Sequence, residues 1–126
     1  MAEEKKNLFD TPDHTSEFEE QDIQDNKVMG ILAYIGLLVL VPIFAAKNSK
    51  YARFHANQGL VLLICAAIVL TVLNILGIIP YVGIVFRIIS YLASLAVTGL
   101  AVFGIVNVAR GKAKELPLIG KFKILK

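Results

Sequence analysis

The chain is 126 residues long, 56% apolar and 18% charged, with one cysteine. That is the length of one small domain, and more apolar than the roughly 45–50% of soluble domains. The lone Cys65 excludes an intrachain disulfide and a cysteine-based zinc cluster. The net charge of +3 divides unevenly: residues 1–27 carry nine acids and three lysines, and the rest carries ten bases against Glu115 alone.

Residues 1–25 read as an acidic, mostly disordered tail, too polar for a cleaved signal peptide. Ser16 followed by Glu19 fits a capping box, so a short interfacial helix is expected from about residue 16. Residues 26–110 form the expected membrane domain, with spans at about 28–46, 52–78 and 82–108. The fold class expected is therefore all-α, an integral-membrane three-helix bundle between an acidic and a basic tail. Pro42 predicts a kink or fray at the end of the first span. Ser49 is an N-cap candidate for a helix beginning at Lys50. "GIIPYVG" at 77–83 predicts a tight hairpin turn, and 111–126 is a basic juxtamembrane tail.

Three spans place Lys5, Lys6, Lys27 and Arg87 on one side of a membrane, against nine bases in the 47–58 loop and the C-terminal tail. The positive-inside rule then predicts an inner-membrane protein with its N-terminus outside and its C-terminus in the cytoplasm. Because the bases flank apolar spans, anionic lipid headgroups are the expected partner and nucleic acid is not.

The densest polar cluster, "SKYARFHANQG" at 49–59, lies at the lip of the second span. Arg53, Phe54, His55, Asn57 and Gln58 are read as an interfacial or interaction motif, whose deeper amides must find partners among nearby helix ends. Asn107 and Arg110 are the expected partners. Lys50, Arg53, Arg87, Arg110 and Lys112 are candidates for headgroup contact. Tyr34, Asn74, Ser90, Ser94, Thr98 and Asn107 are candidates for interhelical packing and hydrogen bonding, with Tyr34, Asn74, Ser90 and Ser94 in the outer third of the bundle. The two histidines, His14 and His55, fall on opposite sides of that bundle, so no metal and no other cofactor is expected. No nucleophile–base pair, phosphate loop or intramembrane carboxylate pair occurs, so no enzymatic activity is expected.

The stretches "NKVMGILAYIGLLVLVP", "SKYARFHANQGLVLL" and "LPLIG" resemble a family of small bacterial three-span membrane proteins of unassigned function. That family is distantly related to the chloroplast inner-envelope import subunit and to the MamF/MmsF-like magnetosome membrane proteins. Arg53, Phe54, His55, Asn57, Gln58 and Gly59 match its "RFHANQG". The resemblance implies a compact domain that self-associates or joins a membrane-protein partner. The expected function is a structural or interaction module of a membrane assembly. The alternatives are a transport or protein-translocation component and a holin-like lesion former.

Overall fold

The computed structural model describes residues 11–117 and 119–125. The expected disorder of residues 1–10 lies outside them. Residues 11–25 carry a 3-10 turn at Thr15–Glu17 followed by helix α1, Glu20–Asp25. No side chain caps α1, so the proposed capping box at Ser16 does not form. Then come α2, Lys27–Leu32, a 3-10 turn at Gly36–Val39, α3, Leu40–Ala45, and two long helices, α4, Lys50–Leu76, and α5, Gly83–Ala109. Among the described residues the fold is helical, apart from one isolated antiparallel bridge between Asp13 and Lys114.

The two long helices are apolar because little in their middle thirds is polar, and 27 residues each make them about 40 Å long. That exceeds the roughly 30 Å hydrocarbon core of a bilayer. They pack along one another as an antiparallel hairpin, joined through the turn between Gly77 and Val82. Ser49 starts α4: its backbone is extended and its Oγ accepts the Ala52 N–H at 3.0 Å.

The first apolar segment departs from the expected continuous span. It folds back on itself between α2 and α3. Gly36 takes φ +52°, a left-handed conformation that side-chain-bearing residues rarely adopt. Pro42 sits in the first turn of α3, where its missing N–H leaves nothing unpaired. In a continuous helix the same proline would interrupt the ladder near the end of the span, and here the chain reverses instead.

Both ends of this segment therefore meet at one end of the molecule. Asp22 accepts the Ser49 hydroxyl at 2.5 Å and the Tyr51 N–H at 3.0 Å. Lys27 Nζ lies 3.4 Å from the Ala109 carbonyl, at the end of α5. The N-terminal segment and the C-terminal tail lie at the same end of the molecule, not at opposite ends as the sequence predicts. Among the described residues two helices, α4 and α5, are long and apolar enough to cross a membrane.

The core lies at this shared end, around Ala33, Tyr34, Val39, Tyr51, Ala56, Leu62 and Val108. Beyond Leu62 the hairpin is nearly bare, with Ile68, Ile75, Ile84, Ile88 and Leu92 all half exposed or more. The fold-back reaches only partway along α4, to a small recess shared by Tyr34, Gly36, Gly59, Leu62, Val97 and Ala101. It is seated by Gly59, where a Cβ would fall inside the Ala33 carbonyl. Gly59→Ala is therefore expected to lower stability by about 1–3 kcal/mol through overpacking. Gly99→Ala, with nothing within 4 Å of its added methyl, should change stability by no more than about 1 kcal/mol. Thermal unfolding of the two variants in the same detergent checks the contrast.

Candidate functional site

Helical spacing puts Tyr51, His55, Gln58 and Leu62 on one face of α4, and all four are buried. The His55 Nε2 lies 2.9 Å from the Lys112 carbonyl, which can only accept. Nε2 therefore carries the proton, and Nδ1, 2.7 Å away from the Tyr34 hydroxyl, accepts from it. Tyr51 donates its hydroxyl to the same Lys112 carbonyl at 3.0 Å.

The two amides continue this pattern into the C-terminal tail. Gln58 donates from Nε2 to the Gly120 carbonyl at 2.9 Å, and its Oε1 accepts the Leu116 N–H at 2.9 Å. Asn57 donates from Nδ2 to the Phe122 carbonyl at 2.9 Å, and its Oδ1 accepts the N–H groups of Ile124 at 2.6 Å and Leu125 at 2.9 Å. A primary amide offers the same donor and acceptor as a peptide bond. These two side chains therefore pair a tail that has no regular helix or strand of its own. The expected partners Asn107 and Arg110 are not used. Arg110 is exposed, and Asn107 is buried with no hydrogen-bond partner for its Nδ2.

The N-terminal arm closes over the tail from the other side. His14 N–H donates to the Ala113 carbonyl at 2.8 Å, and Glu115 N–H donates to the Pro12 carbonyl at 3.1 Å. Thr11 donates its hydroxyl to the Glu115 carbonyl at 2.5 Å, and the Ala113 N–H donates to the Thr15 hydroxyl at 2.9 Å. The His14 ring bridges two carboxylates, Glu17 at 2.5 Å from Nδ1 and Glu115 at 2.7 Å from Nε2. Hydrogen bonding to Glu115, then to Glu17, raises the His14 pKa above its usual 6.5. Asp13 goes the other way, lowered chiefly by the Thr15 hydroxyl that it accepts. Phe54 packs edge-on against His14, Phe18 and His55, which fixes its ring between arm and motif.

The remaining sequence candidates lie apart. Tyr34 belongs to the motif end, because the fold-back carries it there, and not to an outer cluster with Asn74. Asn74 is exposed and donates back to the Leu70 carbonyl of its own helix at 2.6 Å. Thr98 likewise donates to the Ser94 carbonyl at 2.9 Å and faces outward, while Ser94 is half-buried and Ser90 buried. The stripe is therefore not a shared hydrogen-bonding interface within the chain. Arg87 is exposed, its stem beside Gly77 at the far turn. Lys50 is exposed and Arg53 half-buried at the start of α4. Lys112 contributes its carbonyl to the network. Among the described residues no three His, Cys, Asp or Glu side chains are grouped to hold a metal ion. Sequence reasoning missed Asp22 as the residue that ties both ends of the fold-back, since it is one acid among nine.

A polar network at one end and a long, mostly exposed apolar hairpin define a membrane-associated helical protein. Residues 25–123 match the MamF/MmsF family, the magnetosome magnetite crystal formation protein family, and the chain belongs to it. It is 33% identical to magnetosome protein MamF of Paramagnetospirillum magneticum over 98 residues, 78% of this chain and 82% of that one. It is 33% identical to MamF of Magnetospirillum gryphiswaldense over 73% of this chain and 77% of that one. To MmsF of P. magneticum it is 32% identical over 73% of this chain and 79% of that one. No solved structure matches it.

Two predictions follow from the network. Gln58→Leu strands the Leu116 N–H and the Gly120 carbonyl, and should cost about 1–3 kcal/mol, whereas Lys50→Ala should cost under about 0.5 kcal/mol. Chemical unfolding in native-like lipid measures both. The second concerns pH. A folded pKa raised above 6.5 means that His14 stabilises the closed arm fully below that value and loses its contribution as pH rises through the folded pKa. Stability should therefore fall over that window, and His14→Gln should flatten the profile there.

Proposed function

We propose that this protein is a non-catalytic organising module of a magnetosome-type membrane, crossing it twice and contributing to magnetite crystal formation by shaping or assembling that membrane. The observation that carries this reading is the use made of the polar side chains. The motif that most resembles a reactive cluster is spent on the chain's own backbone, through Asn57, Gln58, His55 and Tyr51. What the rest of the molecule presents is apolar helix to lipid or to a membrane-protein partner, a second copy of itself included.

The orientation proposed follows from charge at the two ends. Lys27, Lys47, Lys50, Arg53, Arg110, Lys112, Lys114, Lys121 and Lys123 lie at the motif end, and Arg87 alone is near the far turn. The positive-inside rule then puts the motif, the N-terminal arm and the tail on the cytoplasmic face, with anionic headgroups as the lipid partner. A holin-like role is disfavoured by a polar end built to hold its own tail closed.

The test combines topology with function. In a Cys65→Ala background, single cysteines at Ser16, Asn48 and Lys121 should share one labelling pattern, and Tyr81 the opposite one. In P. magneticum lacking its own MamF and MmsF, this chain should enlarge the magnetite crystals measured by electron microscopy. Correct insertion with unchanged crystals would refute the functional reading, and Ser16 labelling with Tyr81 would refute the orientation.

A further inference from the structure

We propose that the cleft between the start of α4 and the returning tail is a binding site for the phosphodiester headgroup of an anionic phospholipid. Lys50, Arg53, Phe54, Asn57, Lys123 and Leu125 line it. Among the described residues that line it, Lys50 and Lys123 supply the cationic side chains on which the site rests, Phe54 and Leu125 are apolar, and none is acidic. Glu17, Glu19, Asp22 and Asp25 line a neighbouring groove, with Lys50 on the ridge between the two. An anion is thus favoured on one side of Lys50 and repelled on the other.

The cleft is a built feature because its moving wall is pinned. Asn57 holds the backbone of Phe122, Ile124 and Leu125, which sets the register of the alternating run "KFKILK". In that register Lys123 turns inward, with its Nζ 5.9 Å from the Phe54 ring centroid. Lys121 turns away, over Phe122 at 5.7 Å. Phe54 is itself held by the rings of His14, Phe18 and His55. The first amides of α4 are already occupied: Tyr51 by Asp22, Ala52 by the Ser49 hydroxyl and Arg53 by the Ser49 carbonyl. The attraction for an anion therefore comes from side-chain charge, which suits a phosphate oxygen reached from outside.

Location selects a lipid over a free phosphate. The cleft opens where α4 leaves the apolar region, and Phe54 and Leu125 offer apolar surface beside the cations, matching a phosphate joined to acyl chains. The inference rests on the membrane placement proposed above, and adds to it a defined lipid position created by the motif. On this view Asn57 does two jobs with one amide: it pairs the tail and completes the cleft.

The experiment uses the full chain in nanodiscs of phosphatidylcholine doped with phosphatidylglycerol, followed by native mass spectrometry of the lipid retained on extraction. The wild type should retain phosphatidylglycerol selectively. Lys50→Gln with Lys123→Gln should weaken that selectivity by about fivefold per cation removed. Lys47→Gln with Lys121→Gln removes the same charge outside the cleft and should leave it intact. Asn57→Leu keeps every cation but frees the wall, and should lose selectivity as well. All variants are checked for helicity and insertion, so a protein that inserts normally without lipid selectivity overturns the site and leaves the membrane reading standing. Equal losses in the cleft and control pairs would reduce the effect to bulk charge and overturn the proposal. Displacement of the retained lipid by millimolar inorganic phosphate would overturn its assignment to a lipid.

Discussion

Everything at the polar end depends on one requirement: the partly buried peptide groups of an irregular tail must be paired. The tail leaves α5 and runs back over α4 with Pro117 and several lysines, so it forms no ladder of its own. Asn57 and Gln58 supply the missing donors and acceptors, two side chains serving five backbone groups. An unpaired buried group costs about 1–3 kcal/mol, whereas a solvated pair changes little. That asymmetry explains why uncharged amides stand at these two positions, one turn deeper than Lys50 and Arg53.

The same requirement bears on the base of the fold-back. Backbone that is not continuously helical is tolerated at membrane depth only where protein covers it. The base of the reversal lies against α4, where Gly59 lets the Ala33 backbone approach closely and Tyr34 satisfies its hydroxyl on His55, while the turn at residues 35–38 is exposed. Past this point no irregular backbone occurs until the far turn. The molecule thus has a packed half, in which polar groups are cross-linked, and a bare half, in which two helices carry mostly apolar surface outward. Membership of the MamF/MmsF family sets this architecture in a magnetosome context.

Much of this was readable in the sequence, unevenly. The long apolar runs and Ser49 as a helix start were visible because length, hydropathy and capping act locally. The need of the Asn57 and Gln58 amides for partners was visible too, since burial of an amide is costly wherever it occurs. Their actual partners were not, because a backbone carbonyl leaves no mark in the sequence. The first apolar segment misled most. Hydropathy counts 28–46 as one span whether it crosses or turns back, and only Gly36 with Pro42 hinted at reversal. From that one error the side of the N-terminal arm, the depth of Tyr34 and the separation of His14 from His55 all followed. The His14 link to Glu115 joins residues 101 positions apart and lies beyond any local pattern.

The central claim is that motif and tail form one hydrogen-bonded unit. Amide hydrogen exchange of the protein in lipid bicelles, resolved by residue, measures it directly. The amides of Leu116, Ile124 and Leu125 should exchange far more slowly than an unstructured peptide, and all three together should lose protection when Asn57 and Gln58 are both replaced by leucine. Exchange of these amides at random-coil rates in the unaltered protein would contradict the account.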